Sequence, residues 1–136
     1  MMNPTVIDLV RERAGNRCEY CRLQQEDDPD ATFHVEHIVA KKHRGEGELE
    51  NLCLACPECN LHKGPNLAGL LNGKLYPLFS PRKQDWNRHF EWDGTTLVGK
   101  TATGVVTVQV LAINDPKRVA FREASLFEGR FPPDDH

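Results

Sequence analysis

No stretch of the 136-residue chain approaches the roughly 18 consecutive apolar residues of a membrane span, and its start lacks the basic-then-apolar order of a secretory leader. These absences lead us to expect no membrane association and a cytoplasmic setting. Thiols stay reduced there, so paired cysteines favour metal over disulfide. No internal repeat or low-complexity block is visible, which excludes a solenoid. An excess of positive charge is also missing: 17 Lys and Arg stand against 20 Asp and Glu, a net charge of −3. A surface that is basic throughout is therefore excluded, and any contact with a polyanion must come from local clusters. Hydrophobic content, at 39%, is slightly low, and the length suits one domain, 1–136, with one core.

Charge is unevenly spread. Acidic residues gather at Glu26, Asp27, Asp28 and Asp30, and again at Glu46, Glu48 and Glu50. Lys41, Lys42 and Arg44 lie between these groups, and Lys63, Arg82, Lys83 and Arg88 add further positive charge. Most of these are expected to be solvated surface charges.

Asn3-Pro4 supplies a cap and first helical residue, Val6, Ile7, Leu9 and Val10 an apolar face, and Gly15 a stop, predicting a short N-terminal helix. Gln24–Asp30 reads as a mobile loop and Thr32–Val39 as a strand. Ala40–Glu50 reads as a loop, Asn51–Leu54 as a second strand, and Pro57–Lys63 as two helical turns stopped by Gly64-Pro65. The local order is ββα. Beyond it, Ser80-Pro81 opens a helix through about Phe90, Phe90–Lys100 forms a hairpin turning at Asp93-Gly94, and Val105–Ile113 is read as helix over strand. Asp115-Pro116 caps a last helix ending near Gly129, followed by a frayed tail from Phe131.

Two Cys-x-x-Cys pairs, Cys18/Cys21 and Cys56/Cys59, match the knuckles of a four-thiolate zinc site, and the 34 residues between them exceed the gap of a compact zinc ribbon. The alternatives are buried thiols without metal or an exposed redox pair. Cys53 is read as a buried apolar thiol. A closed four-thiolate site is structural and leaves no position for substrate, so any chemistry needs a second metal.

Inside this frame lie Glu36, His37, Asn51 and Asn60. The segments Cys18-Glu-Tyr-Cys21, His34-Val-Glu-His37-Ile, Glu50-Asn51-Leu and Cys56-Pro-Glu-Cys59-Asn60-Leu-His62-Lys63-Gly64 together resemble the HNH endonucleases of the ββα-metal fold, in their four-cysteine zinc-binding branch. The match covers 18–65. Pro77–Arg82, Trp86, His89-Phe90, Trp92-Asp-Gly94 and Thr101-Ala-Thr-Gly104 resemble a C-terminal extension, 66–136, found in small stand-alone bacterial members. The implied fold is α+β: a small ββα-metal core stapled by zinc, with a helix and hairpin extension.

By position, the resemblance implies that His37 is the general base, suited by an imidazole pKa of about 6.5. It implies that Glu36 and Asn60 hold one Mg2+ or Mn2+ through oxygen, and that Asn51 bonds across the loop to orient His37. Substrate phosphates fall to His62, Lys63, Lys41, Lys42 and Arg44. Glu36 replaces the aspartate of many members, and Asn60 stands where histidine is common. His34 either joins the site or sits exposed beside it, and His43, His89 and His136 are surface or packing residues. Trp86, Phe90 and Trp92 are read as a small core under the extension. The expected activity is hydrolysis of DNA phosphodiester bonds, with a homodimer as one way to cut both strands and no protein partner identified. The rival reading is a non-catalytic zinc module that binds nucleic acid or a protein.

Overall fold

The computed structural model describes residues 3–45 and 47–132. Glu46 and His136 lie outside the described residues, as does most of the expected tail. Helix α1 (Pro4–Arg13) begins where Asn3 Oδ1 accepts from the Thr5 amide at 2.8 Å. Its arginines fasten it to the backbone of the central hairpin. Arg11 donates to Phe33 O at 2.8 Å, and Arg13 donates to Leu49 O at 2.9 Å and to Leu52 O at 2.6 Å.

Strands β1 (His34–His37) and β2 (Leu52–Ala55) form that antiparallel hairpin, with His37 opposite Leu52 and Glu36 opposite Cys53. All four residues of β2 are buried. Its outer edge is closed rather than left open: Glu19 N donates to Leu54 O at 2.9 Å, and the Glu19 carboxylate accepts from Leu54 N at 2.8 Å. Helix α2 (Pro57–Lys63) comes next, with Pro57 in its first turn, and packs on both strands. This is the expected ββα order. The loop before β1, expected to be mobile, is closed by one side chain: Gln25 donates to Asp28 O and Ala31 O and accepts from Phe33 N.

The extension starts with a hairpin that the sequence reading did not include, β3 (Ala68–Leu71) and β4 (Lys74–Pro77), turning on Asn72 (φ 51°) and Gly73 (φ 78°). Two successive positive φ angles are what a two-residue hairpin turn needs. The expected Ser80–Phe90 helix is corrected. Ser80 O accepts from Lys83 N and Gln84 N in a tight turn, and only α3 (Trp86–His89) is helical. Ser80 N is taken by the Gln84 side chain at 2.9 Å, so the cap-and-proline signal closes a turn instead of opening a helix.

Strands β5 (Phe90–Asp93) and β6 (Thr96–Gly99) form the expected hairpin, and α4 (Ala102–Val110) is helical as read, though it starts earlier. Its start is set by Thr101, whose hydroxyl accepts from Gly104 N at 3.0 Å. Helix α4 packs across both extension hairpins. Glycine makes this approach possible: a Cβ on Gly104 would strike the His89 carbonyl, and one on Gly99 would strike the α4 backbone. Helix α5 (Pro116–Phe127) starts at Asp115, as expected.

The two parts share one buried cluster, running from Val10 and Leu54 to Leu97 and Ile113. The extension grips the first cysteine knuckle and its flanks through several polar contacts. Trp86 Nε1 donates to Tyr20 O at 2.8 Å, the Arg22 guanidinium lies 4.8 Å over the Trp86 ring, Arg82 pairs with Glu19, and Arg130 pairs with Asp27 at 2.6 Å. Trp86 and Phe90 are buried against each other with ring centroids 5.2 Å apart, so they serve the core. No helix among the described residues is long and apolar enough to cross a membrane.

Candidate active site

The four cysteines of the two knuckles meet. Cys18, Cys21, Cys56 and Cys59 are all buried, and their sulfurs lie within 4.8 Å of one another. The Cys21 and Cys56 sulfurs are 3.7 Å apart, close to the roughly 3.8 Å edge of a tetrahedron with arms of about 2.3 Å. In each knuckle the first sulfur accepts from the amide of the second cysteine, at 3.5 Å for Cys18 and 3.4 Å for Cys56. Those bonds turn the chain so that both thiols face inward. Burial pushes the Cys18 and Cys59 thiols up, while hydrogen bonds from the neighbouring cysteines pull Cys21 down. Four sulfurs at this spacing are the donor set of a soft or borderline dication, which would ionise them together. Cys53, the fifth, is excluded by its place on β2.

The hairpin alternates its side chains, so Glu36 and His37 point to opposite faces. Glu36 points inward and is 8% exposed. Its Oε1 lies 3.6 Å from the Cys53 sulfur, which in turn lies 3.6 Å from the Tyr20 hydroxyl. Burial raises the Glu36 carboxyl above its ordinary value, and the Lys63 charge and the Tyr20 and Cys53 hydrogen bonds pull the other way. Tyr20 sits between Cys18 and Cys21, so the first knuckle directly buttresses this carboxyl.

His37 is half-buried, and among the described residues its imidazole has no hydrogen-bond partner. Burial and the nearby Lys41 charge lower its pKa below 6.5, which favours the neutral, proton-accepting form. A Cβ on Gly47 would lie in ordinary contact with His37 Nε2, at 3.7 Å, so the loop between the strands passes close to the ring. Asn51 crosses the loop, and two bonds of its side chain go to backbone. Its Oδ1 accepts from Val39 N at 2.9 Å and its Nδ2 donates to Val39 O at 3.0 Å. With Ile38 N donating to Asn51 O at 2.8 Å, this clamp extends the ladder two residues past His37.

On α2, the side chain of Asn60 is half-buried and has no hydrogen-bond partner among the described residues. Lys63, one turn on from Asn60, is 2% exposed, and its Nζ donates to Ile38 O at 3.0 Å. Lys63, expected to meet phosphate, has its ammonium turned inward, onto the carbonyl beside His37 and towards Glu36. His62 stays on the exposed side, 3.5 Å from Glu58. Lys41, Lys42 and Arg44 are exposed, Lys41 close enough to act on His37. His34 is exposed on the Glu36 face of β1. His89 packs on Phe79 and bonds to Thr101 Oγ1 at 2.6 Å. A cavity of about 550 Å3 lies beside Cys21 and Cys56, away from His37. Its lining includes Arg118, a residue the motif reading missed, and its only sequence signal was a charged residue on the inner side of a capped helix.

The ββα unit thus carries a buried carboxylate and a half-buried imidazole on opposite faces of β1 and an amide on the short helix packed against the hairpin, beside a four-thiolate cluster. Residues 18–66, which hold all of these groups, match the family model described as HNH endonuclease. A curated relative, the Septu protein PtuB of Bacillus thuringiensis, is 28% identical over 120 residues, covering 87% of this chain and 44% of that protein. The chain thus spans less than half the length of that relative. An alignment of 120 residues cannot fit within 18–66, so the likeness includes part of the extension. No solved structure matches the chain.

Proposed function

We propose that the protein is a metal-dependent endonuclease that hydrolyses DNA phosphodiester bonds, with His37 as general base. The observation that carries this reading is a half-buried imidazole with no hydrogen-bond partner among the described residues, its pKa lowered by burial and by Lys41, next in sequence to a buried carboxylate inside a segment that matches the HNH family. The four sulfurs hold a structural Zn2+, for which their spacing is suitable. Glu36 and Asn60 offer oxygen donors for Mg2+ or Mn2+, the cations that prefer oxygen. Burial makes the Glu36 charge costly, so a dication there gains from it and ionises it fully. When bound, the cation supplies Lewis acidity towards phosphate oxygen.

The chain's own groups do the rest. His37 accepts the proton of the attacking water at a ring nitrogen. Asn51 holds the backbone after His37 in extended form and so fixes where the ring points. Lys63 orders the Ile38 carbonyl and places positive charge behind Glu36. Lys41, Lys42, Arg44 and His62 remain exposed to phosphate, which concentrates positive charge at the site although the whole chain is acidic.

One observation favours the second reading, a zinc module that binds without cutting: Glu36 is shielded by Tyr20 and Cys53 and already faces the Lys63 ammonium. Crystals soaked in MnCl2 separate the two. The endonuclease reading expects an anomalous manganese peak bounded by Glu36 and Asn60. Zinc at the cysteines with no second cation, in crystals that also bind a DNA oligonucleotide, supports the module.

A further inference from the structure

Helix α5 carries Arg118 and Arg122 one turn apart, and both guanidiniums are locked by backbone carbonyls. Arg122 Nε donates to Thr95 O at 2.7 Å and Nη2 to Ile113 O at 2.8 Å. Arg118 Nη1 donates to Leu111 O at 2.8 Å and to Ala112 O at 3.2 Å, which satisfies carbonyls left over at the end of α4. That leaves Nη2 of Arg118 aimed at the cysteines, 3.1 Å from Cys59 Sγ and 3.8 Å from Cys56 Sγ.

Four thiolates and one dication leave two uncompensated negative charges. The cysteines are 0–4% exposed, so that charge has little water around it, and burying it is costly without a partner. A fixed guanidinium meets both needs, because it donates N–H to sulfur and brings a unit of positive charge that never titrates away. We infer that Arg118 belongs to the metal site: it donates to the Cys59 and Cys56 thiolates, so metal retention depends on α5, in the C-terminal extension. This rests on the reading that the four sulfurs bind zinc. It also accounts for why an HNH segment is joined to helices that fold back on it, since α5 completes the surroundings of the metal.

The test uses full-length, zinc-loaded protein and measures transfer of zinc to a chromogenic chelator, with no nuclease assay involved. Arg118→Ala is expected to release zinc about tenfold faster or more, in line with the effect of removing hydrogen-bond partners of metal ligands. Lys117→Ala, which removes the same charge from an exposed neighbour, is expected to match wild type. Arg118→Lys keeps the charge but cannot span carbonyls and sulfur together, and is expected to fall between them. In cobalt-loaded protein the thiolate-to-metal charge-transfer band shifts for Arg118→Ala and not for Lys117→Ala. If Arg118→Ala does not fold, Arg118→Lys carries the test. Release at the wild-type rate from every folded Arg118 variant overturns the inference and leaves the zinc reading intact. Wild-type protein that holds no zinc overturns both.

Discussion

Replacing Asn51 with alanine removes two hydrogen bonds at once, one to Val39 N at 2.9 Å and one to Val39 O at 3.0 Å. Each such bond contributes about 1 kcal/mol net, and a deeply buried orphan would cost more. Val39 is half-buried, so water can reach its freed groups in part, and the expected total is about 2 kcal/mol. For a chain of this length that lowers Tm by roughly 6 °C. Asn51→Asp keeps the acceptor for Val39 N and loses the donor to Val39 O, so it should cost at least half as much. Thermal unfolding of zinc-loaded protein, monitored by circular dichroism, measures both. Because Val39 lies two residues past His37, Asn51→Ala should also lower kcat by more than it raises KM, in supercoiled-plasmid nicking well below the new Tm. A Tm within about 1 °C of wild type, with kcat unchanged, refutes the reasoning that this clamp sets the end of β1.

Three further outcomes are expected. The acid limb of kcat/KM should fall below the ordinary histidine value of 6.5, because burial and then Lys41 disfavour protonated His37; activity is lost as pH falls through that lowered pKa. Lys41→Met should move the limb upward, and a limb that stays put removes Lys41 from the account. Gly104→Ala should destabilise by about 3 kcal/mol or more in urea unfolding, since its Cβ meets the fixed His89 carbonyl, and a neutral result contradicts that packing. Thr107→Val keeps the shape but orphans the buried Phe79 N–H, which now reaches Thr107 Oγ1 at 2.8 Å; a loss of about 1–3 kcal/mol is expected, and an unchanged midpoint contradicts it.

The cysteine spacing made the thiolate cluster legible because a metal site is specified by a few residues at fixed offsets. The ββα order was legible for a similar reason, with Pro57 and Gly64 marking both ends of α2. The β3–β4 hairpin is equally marked in the sequence, by Asn72-Gly73 between apolar residues. The Ser80-Pro81 error differs in kind: a serine before proline opens turns and helices alike, and the Gln84 side chain decides between them through Ser80 N. Lys63 was not legible. Only the packing of α2 on the hairpin turns its ammonium inward, and helical position alone cannot tell a phosphate contact from a buried partner of Ile38 O. Arg118 was hidden because 59 residues separate it from Cys59 and no short motif joins them.

If His37 is the base of a metal-dependent nuclease and the zinc site takes no part in the chemistry, losing the imidazole should abolish cleavage and leave zinc in place. The most direct measurement compares wild type with His37→Ala in conversion of supercoiled plasmid under a panel of Mg2+ and Mn2+ concentrations, with zinc content determined on the same samples. The expected outcome is metal-dependent nicking by wild type, loss of at least about a hundredfold in His37→Ala, and one zinc per chain in both. Equal cleavage by both proteins, or none by folded, zinc-loaded wild type at any metal concentration, contradicts it.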